Sequence, residues 1–136
     1  MTPDENEALV RRAVEAIWNG GDLDLADRLF APNYVNHGGL IPDAVRGPEA
    51  IKFSVVLYRT AFSHFQVTVE DLIAQGDTVA FRWTARSAPP VDSQTSTPRT
   101  APDTLHGMTF SRLAGGQIVE SWMCWDDPHL LSRQGT

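Results

Sequence analysis

Residues 65–86 read FQVTVEDLIAQGDTVAFRWTAR, and their pattern is the strongest signal of the fold in the sequence. Apolar residues occupy every second position on both sides of a Gln-Gly-Asp turn at 75–77: Phe65, Val67 and Val69 before it, and Val79, Phe81, Trp83 and Ala85 after it. Such alternation around a glycine-containing turn is typical of an antiparallel hairpin with one buried face. The stretch therefore predicts two long, paired strands.

Two more strands are predicted after the hairpin, at about 104–113 and 117–125, joined by Ala114-Gly115-Gly116. The preceding segment, 87–103, contains four prolines and many Ser and Thr residues. A segment of that composition is typical of a long exposed connection. The second half of the chain therefore predicts an antiparallel meander of four strands.

The first half of the chain carries the signals of three helices. Thr2, Pro3 and Glu5 form a capping-box pattern at the start of an apolar helical repeat, and Asn19-Gly20-Gly21 ends that repeat. Asp22 can cap a second, shorter helix, and Pro48 suits the first turn of a third. With an extended piece at 34–37 and a loop at 38–47, the prediction is an α+β fold: a curved antiparallel sheet, shaped like a cone and packed against three N-terminal helices.

Length, charge and cysteine content limit the possible functions. The 136 residues suffice for one domain, predicted as 1–136, and the net charge of −6 offers no positive field for nucleic acid or a membrane surface. The single cysteine, Cys124, excludes an internal disulfide, and no apolar run could span a bilayer. Nor do the four histidines pair at a metal-ligand spacing. We expect a cytoplasmic protein without a metal.

Several motifs resemble those of one known family. They are YVNHG at 34–38, GPEAIK at 47–52, the hairpin at 69–86, HGMTFSRL at 106–113 and GGQIVESW at 115–122. In this order they resemble the SnoaL-like polyketide or ester cyclases of the nuclear-transport-factor-2-like superfamily. The resemblance implies a cone-shaped, cystatin-like α+β roll. It also implies cofactor-free ring closure, in which a carboxylate removes a proton beside a carbonyl and a neighbouring donor stabilises the enolate oxygen.

The last strand holds the candidate acids. Simple alternation would place Ile118, Glu120, Trp122, Cys124 and Asp126 on one face, directed into the hollow of the cone. A carboxylate beside a tryptophan loses hydration, which raises its pKa toward the range useful for proton transfer. The resemblance implies a histidine–carboxylate pair, for which His106 and Glu120 have a suitable separation.

Other roles for these acids remain open. Asp126 competes with Glu120 as the catalytic base, and the sequence does not decide between them. Each acid also has a structural alternative: Glu120 could pair with Arg82 or Arg112, and Asp126 could cap the strand end.

The chain has more aromatic residues than a core of this size needs at one end, so some should line a cavity that stacks on a flat, polycyclic, polyketide-like ligand. The predicted substrate-binding residues are Tyr34, Asn36, His37, Tyr58, Phe62, Trp83, Met108 and Trp122. Asn36 could donate to an oxyanion or form an Asx turn.

Taken together, these observations predict a cyclase or isomerase that acts on a polyketide-like carbonyl compound without a cofactor. Two alternatives are an epoxide-opening hydrolase or cyclase on the same scaffold, and a non-catalytic small-molecule binding module. Because Arg82, Thr84 and Arg86 alternate with the apolar face of their strand, the outer face of the sheet should be amphipathic. We expect the protein to form a homodimer through this face.

Overall fold

The structure, a computed structural model, describes residues 1–38, 45–87 and 104–126. The described helices are α1 (Pro3–Arg12), α2 (Leu23–Leu29) and α3 (Pro48–Ala61), and α1 continues into a π-helical segment, Ala13–Asn19. The described strands are β1 (Phe30–His37), β2 (Gln66–Gln75), β3 (Thr78–Arg86), β4 (Thr104–Ala114) and β5 (Gln117–Asp126). Most of the predicted loop 38–47 and of the predicted connection 87–103 lies outside the described residues.

Local capping signals start the first two helices as predicted. Thr2 Oγ1 accepts from the backbone N–H of Glu5 at 3.1 Å, and Glu5 Oε1 accepts from the backbone N–H of Thr2 at 2.9 Å. Asp22 Oδ1 accepts from the backbone N–H of Leu25 at 3.3 Å. These bonds satisfy N–H groups that have no partner within the helix itself.

The five strands form one mixed sheet in the order β1-β5-β4-β3-β2. Strands β2 to β5 form the predicted antiparallel meander. The extended piece predicted at 34–37 belongs to a fifth strand, β1, which pairs in parallel with β5, so the sheet is not wholly antiparallel. Pro32 lies inside β1, where its missing N–H is tolerated because β1 is an edge strand.

The helices pack against one face of the curved sheet and enclose the core. Ile17, Ala26, Val55 and Val79 are almost completely buried where helices and sheet meet. A second, smaller cluster forms around Phe65, Trp83 and Ala85. The predicted α+β fold with three helices on a curved sheet is thus confirmed. In the described ranges, the structure contains no helix with the length and apolar character needed to cross a membrane.

Candidate active site

A cavity of about 790 Å³, counting its open mouth, lies between the helices and the concave face of the sheet. Most of its wall is apolar, and seven aromatic residues contribute to it: Trp18, Phe30, Tyr34, Tyr58, Phe65, Phe81 and Trp83. The cavity is therefore suited to a flat, mainly apolar ligand.

Trp83 forms one wall of the cavity and is fixed by two neighbours on β4. Its Nε1–H donates to Thr109 Oγ1 at 2.9 Å. Its ring lies over Gly107, where a Cβ atom would approach Trp83 Cζ2 to 2.3 Å. Only glycine leaves room for the ring at this position, so the sequence of β4 determines where the wall stands.

The polar part of the wall is a row of neutral side chains that runs across three strands. Asn36 of β1 is paired with Ser121 of β5, and Ser121 with Ser111 of β4. All three residues line the cavity. The hydroxyl groups of Ser111 and Ser121 are hydrogen-bonded at 2.8 Å, and Tyr34 is hydrogen-bonded to Ser121. We call Tyr34, Asn36, Ser111 and Ser121 the polar row.

Tyr34 is a neutral member of this row. Burial raises the pKa of its phenol strongly, and the hydrogen bond to Ser121 offsets only part of that rise. The phenol therefore keeps its proton over the whole physiological range and can serve as a hydrogen-bond donor.

The prediction that Glu120, Trp122 and Asp126 face the cavity together with Ile118 is wrong. Strands β4 and β5 pair Arg112 with Glu120 but Leu113 with Ile118, so Val119 is an extra residue on β5. Such a bulge shifts the alternation by one position. Ile118, Ser121 and Met123 line the cavity, and the side chains of Glu120, Trp122, Cys124 and Asp126 face the outer side of the sheet.

His106 and Asp126 lie opposite each other on β4 and β5, away from the cavity lining. Asp126 Oδ1 accepts from the backbone N–H of His106 at 3.1 Å. This bond resembles the structural role considered for Asp126 from the sequence, a cap at the end of the strand. The ring Nδ1 of His106 lies 3.4 Å from Thr84 Oγ1. Six positions of β4, about 20 Å along the strand, separate His106 from Arg112, the partner of Glu120. His106 and Glu120 therefore do not form the predicted pair.

Glu120 instead belongs to a polar and aromatic cluster on the outer face. Its Oε2 accepts from His37 Nε2 at 2.7 Å, and its Oε1 accepts from Arg112 Nη2, the alternative considered from the sequence. The His37 ring stacks on Trp122 with a centroid distance of 5.4 Å, and Phe110 packs edge-on against Trp122 at 5.8 Å. Catalytic roles for His106, Glu120 and Asp126 stay predictions, without contact to the cavity.

Four of the eight predicted substrate-binding residues line the cavity: Tyr34, Asn36, Tyr58 and Trp83. Phe62 stacks on Tyr58 and lines a smaller hollow beside the cavity. The side chains of His37, Met108 and Trp122 face the outer side, contrary to the expectation that they contact a ligand in the hollow.

Sequence reasoning missed the two serines of the polar row. Ser121 stands between Glu120 and Trp122, so simple alternation assigned it to the outer face. The adjacent apolar residues Ile118 and Val119 were the available signal, because two consecutive apolar residues can mark a bulge. No group of three His, Cys, Asp or Glu side chains suited to a metal occurs within 1–38, 45–87 and 104–126.

A curved mixed sheet, closed by helices around an apolar cavity, defines the nuclear-transport-factor-2-like class of α+β folds. Within this class, residues 8–134 match the family model described as SnoaL-like polyketide cyclase. The chain belongs to this family. Comparison with curated proteins finds none that matches it.

Solved structures of the same fold come from several bacteria. IdmH of Streptomyces antibioticus, named as a candidate polyketide cyclase, is 28% identical with a TM-score of 0.77; the match covers 96% of this chain and 99% of IdmH. AclR of Streptomyces galilaeus, named as a candidate hydroxylase, is 25% identical with a TM-score of 0.73 and 98% coverage of both chains. A candidate SnoaL-like polyketide cyclase from Jannaschia is 25% identical with a TM-score of 0.71, over 97% of this chain and 90% of that one. Family and neighbours together support a cyclase- or hydroxylase-like role.

Proposed function

We propose that the protein is a cofactor-free cyclase or isomerase that acts on a flat, polyketide-like carbonyl compound in the cavity. The observation that carries the proposal is an aromatic-lined cavity with a row of neutral hydrogen-bonding groups, in a chain of the SnoaL-like family. The description of IdmH as a candidate polyketide cyclase agrees with chemistry on polyketide-like compounds.

Affinity in this proposal comes from the apolar walls. Trp18, Tyr58 and Phe65 contact one another at ring-centroid distances of 5.7–6.4 Å, and Trp83 contributes another aromatic surface to the same cavity. A tricyclic ligand that buries roughly 200 Å² of apolar surface gains about 5 kcal/mol from that burial. The cost of association reduces this gain, and a dissociation constant of 1 mM already corresponds to about 4 kcal/mol, so we expect binding through apolar burial alone to be no tighter than the sub-millimolar range.

The polar row supplies the chemistry in this proposal. A hydroxyl of Tyr34, Ser111 or Ser121 can donate to the carbonyl oxygen of the ligand and stabilise the enolate that forms on it. A positioned donor of this kind typically contributes about 100- to 1,000-fold in rate. Because the phenol of Tyr34 stays protonated, it can serve as that donor.

Proton abstraction by His106 with Glu120 or Asp126 finds no support in the geometry, because these side chains are on the other side of the sheet. The cavity is better suited to an already activated carbon acid, such as a 1,3-dicarbonyl compound, which enolises readily without a strong base. The protein would then hold the enol and the second carbonyl together for ring closure.

Exchange of the α-protons of 2-tetralone in D2O, followed by proton NMR, tests the proposal. We expect the protein to accelerate exchange above the buffer rate, and fluorenone to inhibit it by competing for the cavity. Ser121→Ala should lower the rate about tenfold or more. The matched control is Ser54→Ala, because Ser54 is buried in α3, donates to Ala50 O at 2.9 Å and does not line the cavity. Exchange at the buffer rate would contradict catalysis.

A non-catalytic binding module is the second candidate. It is favoured by one observation: among residues 1–38, 45–87 and 104–126, no Asp, Glu or His side chain lines the cavity. Binding of fluorenone without acceleration of exchange would identify such a module. Epoxide opening ranks behind both, because it needs a carboxylate that activates water at the site.

We also propose a homodimer that forms through the outer face of the sheet. Several large apolar side chains are exposed there: Ile73, Met108, Phe110 and Trp122. Burying such a patch against a second copy would remove it from water.

A further inference from the structure

The side chain of Asn36 has an unsatisfied polar atom at the cavity. Asn36 lines the cavity and is only 7% exposed. Its Oδ1 is buried and finds no hydrogen-bond partner among the described residues. Buried polar groups of native proteins are nearly always paired, so an acceptor left unpaired at a cavity indicates a partner that arrives with the ligand.

None of the neighbouring hydroxyl groups donates to Asn36 Oδ1. Ser121, the residue paired with Asn36 across the strands, is hydrogen-bonded to Ser111 and to Tyr34. Three hydroxyl groups joined by two hydrogen bonds use two of their three protons and leave one O–H for a further acceptor.

The polar row thus offers a donor and an acceptor side by side. Neighbouring strands lie about 4.8 Å apart, which sets the spacing between Asn36 and the hydroxyl row. The carbonyl oxygen of a ligand fits the spare O–H, and a hydroxyl group of the same ligand fits Asn36 Oδ1. The terminal amide can also turn about χ2, which has a broad, two-fold profile, and so direct its oxygen toward the ligand.

We propose that Asn36 is the residue through which the cavity selects hydroxylated ligands, with Oδ1 accepting a hydrogen bond from an enol or phenol O–H. This inference rests on the proposed function, and it narrows the substrate class to polycyclic ketones that also carry a hydroxyl group. Sites that hydrogen-bond a ligand hydroxyl discriminate strongly against analogues without it, because the protein acceptor then stays unpaired.

Three probes of the same ring system test the selection: 2-hydroxyfluorenone, 2-methoxyfluorenone and fluorenone. Their dissociation constants are measured by quenching of tryptophan fluorescence, since Trp18 and Trp83 line the cavity. We expect the hydroxylated probe to bind about 5- to 150-fold more tightly than the other two, the range for satisfying one buried acceptor. The methoxy probe has no proton to donate and serves as the size control.

The variant Asn36→Leu removes the acceptor and keeps a side chain of the same branching and number of heavy atoms, and we expect the preference for the hydroxylated probe to disappear. The matched control is Asn6→Leu. Asn6 of α1 is also buried with an unpartnered Oδ1, but it donates to Gly76 O at 3.3 Å and does not line the cavity. This control should keep the preference.

The outcomes separate the selection of hydroxylated ligands by Asn36 from the proposed function. Equal affinity of the wild-type protein for the three probes would overturn the selection by Asn36 and leave the proposed function standing. Failure to bind any of them would overturn both. A preference that survives Asn36→Leu would assign the selection to another residue and overturn the role of Asn36. The wild-type comparison alone keeps the inference testable even where the variant does not fold.

Discussion

Replacing Gly107 by alanine tests how the cavity wall is built. The new Cβ atom would lie 2.3 Å from Cζ2 and 2.6 Å from Cε2 of Trp83, whereas carbon atoms normally stay about 3.5 Å or more apart. The ring is only 9% exposed, packs beside Phe65 and Ala85, and donates to Thr109. It therefore has to leave its position, and the hydrogen bond to Thr109 breaks when it does.

The expected loss of unfolding free energy combines two costs. Overpacking a well-packed site typically costs about 1–3 kcal/mol, and a lost hydrogen bond costs about 0.5–1.5 kcal/mol. We expect Gly107→Ala to lower the unfolding free energy by about 2–4 kcal/mol in total. In a Trp83→Leu background, where the ring is absent, the same change should cost less than about 1 kcal/mol.

The wild type, Gly107→Ala, Trp83→Leu and the double variant form a double-mutant cycle. Their unfolding free energies are measured by urea denaturation followed by far-ultraviolet circular dichroism, which does not depend on the emission of Trp83. Fluorenone binding should also weaken in Gly107→Ala, because one wall of the cavity has moved. The same loss in both backgrounds would contradict a clash with Trp83, because the cost would then not come from the ring. A Gly107→Ala protein as stable as the wild type would contradict this clash as well.

Three further predictions concern the outer face and Tyr34. Glu120→Gln and Asp126→Asn should leave the exchange rate of 2-tetralone within about twofold, and a loss above 100-fold would restore the acid–base prediction for that residue. Phe110→Glu should convert a dimer into a monomer in light scattering at micromolar concentration. The control Val56→Glu, at a similarly exposed site on α3, should stay dimeric. A monomeric wild type would contradict the proposed dimer. Because burial raises the pKa of Tyr34 above its ordinary 10.0, the unfolded chain loses this proton first, so stability falls as the pH rises above about 10. Between pH 9 and 11, the wild type should lose about 1.4 kcal/mol more than Tyr34→Phe in urea titrations, and equal losses would contradict the burial argument.

The elements with local signals were predictable from the sequence. The capping box at Thr2, the cap at Asp22 and the turn at 75–77 each determine a boundary through contacts between residues close in the chain. The alternation in the hairpin likewise determines which side of β2 and β3 is buried. These features were predicted because their physical causes lie within a few residues of each other.

The parallel pairing of β1 with β5 and the bulge at Val119 depend on contacts distant in sequence. Nothing near β1 in the chain identifies its partner strand. In β5, the consecutive residues Met123, Cys124 and Trp125 are all apolar, so the sequence there shows no alternation that would reveal the shift. One extra residue was enough to exchange Glu120 for Ser121 at the cavity. The aromatic wall was therefore largely predicted, whereas the acids were assigned to the wrong face of the sheet.

We propose the concave cavity, with its neutral polar row, as the binding site, in preference to the outer face with Glu120. A crystal structure of the protein soaked with 2-hydroxyfluorenone tests it most directly. We expect density for the probe against Trp83, with its hydroxyl group within hydrogen-bond distance of Asn36 Oδ1. Density beside Glu120 and Trp122 on the outer face, with an empty cavity, would contradict it.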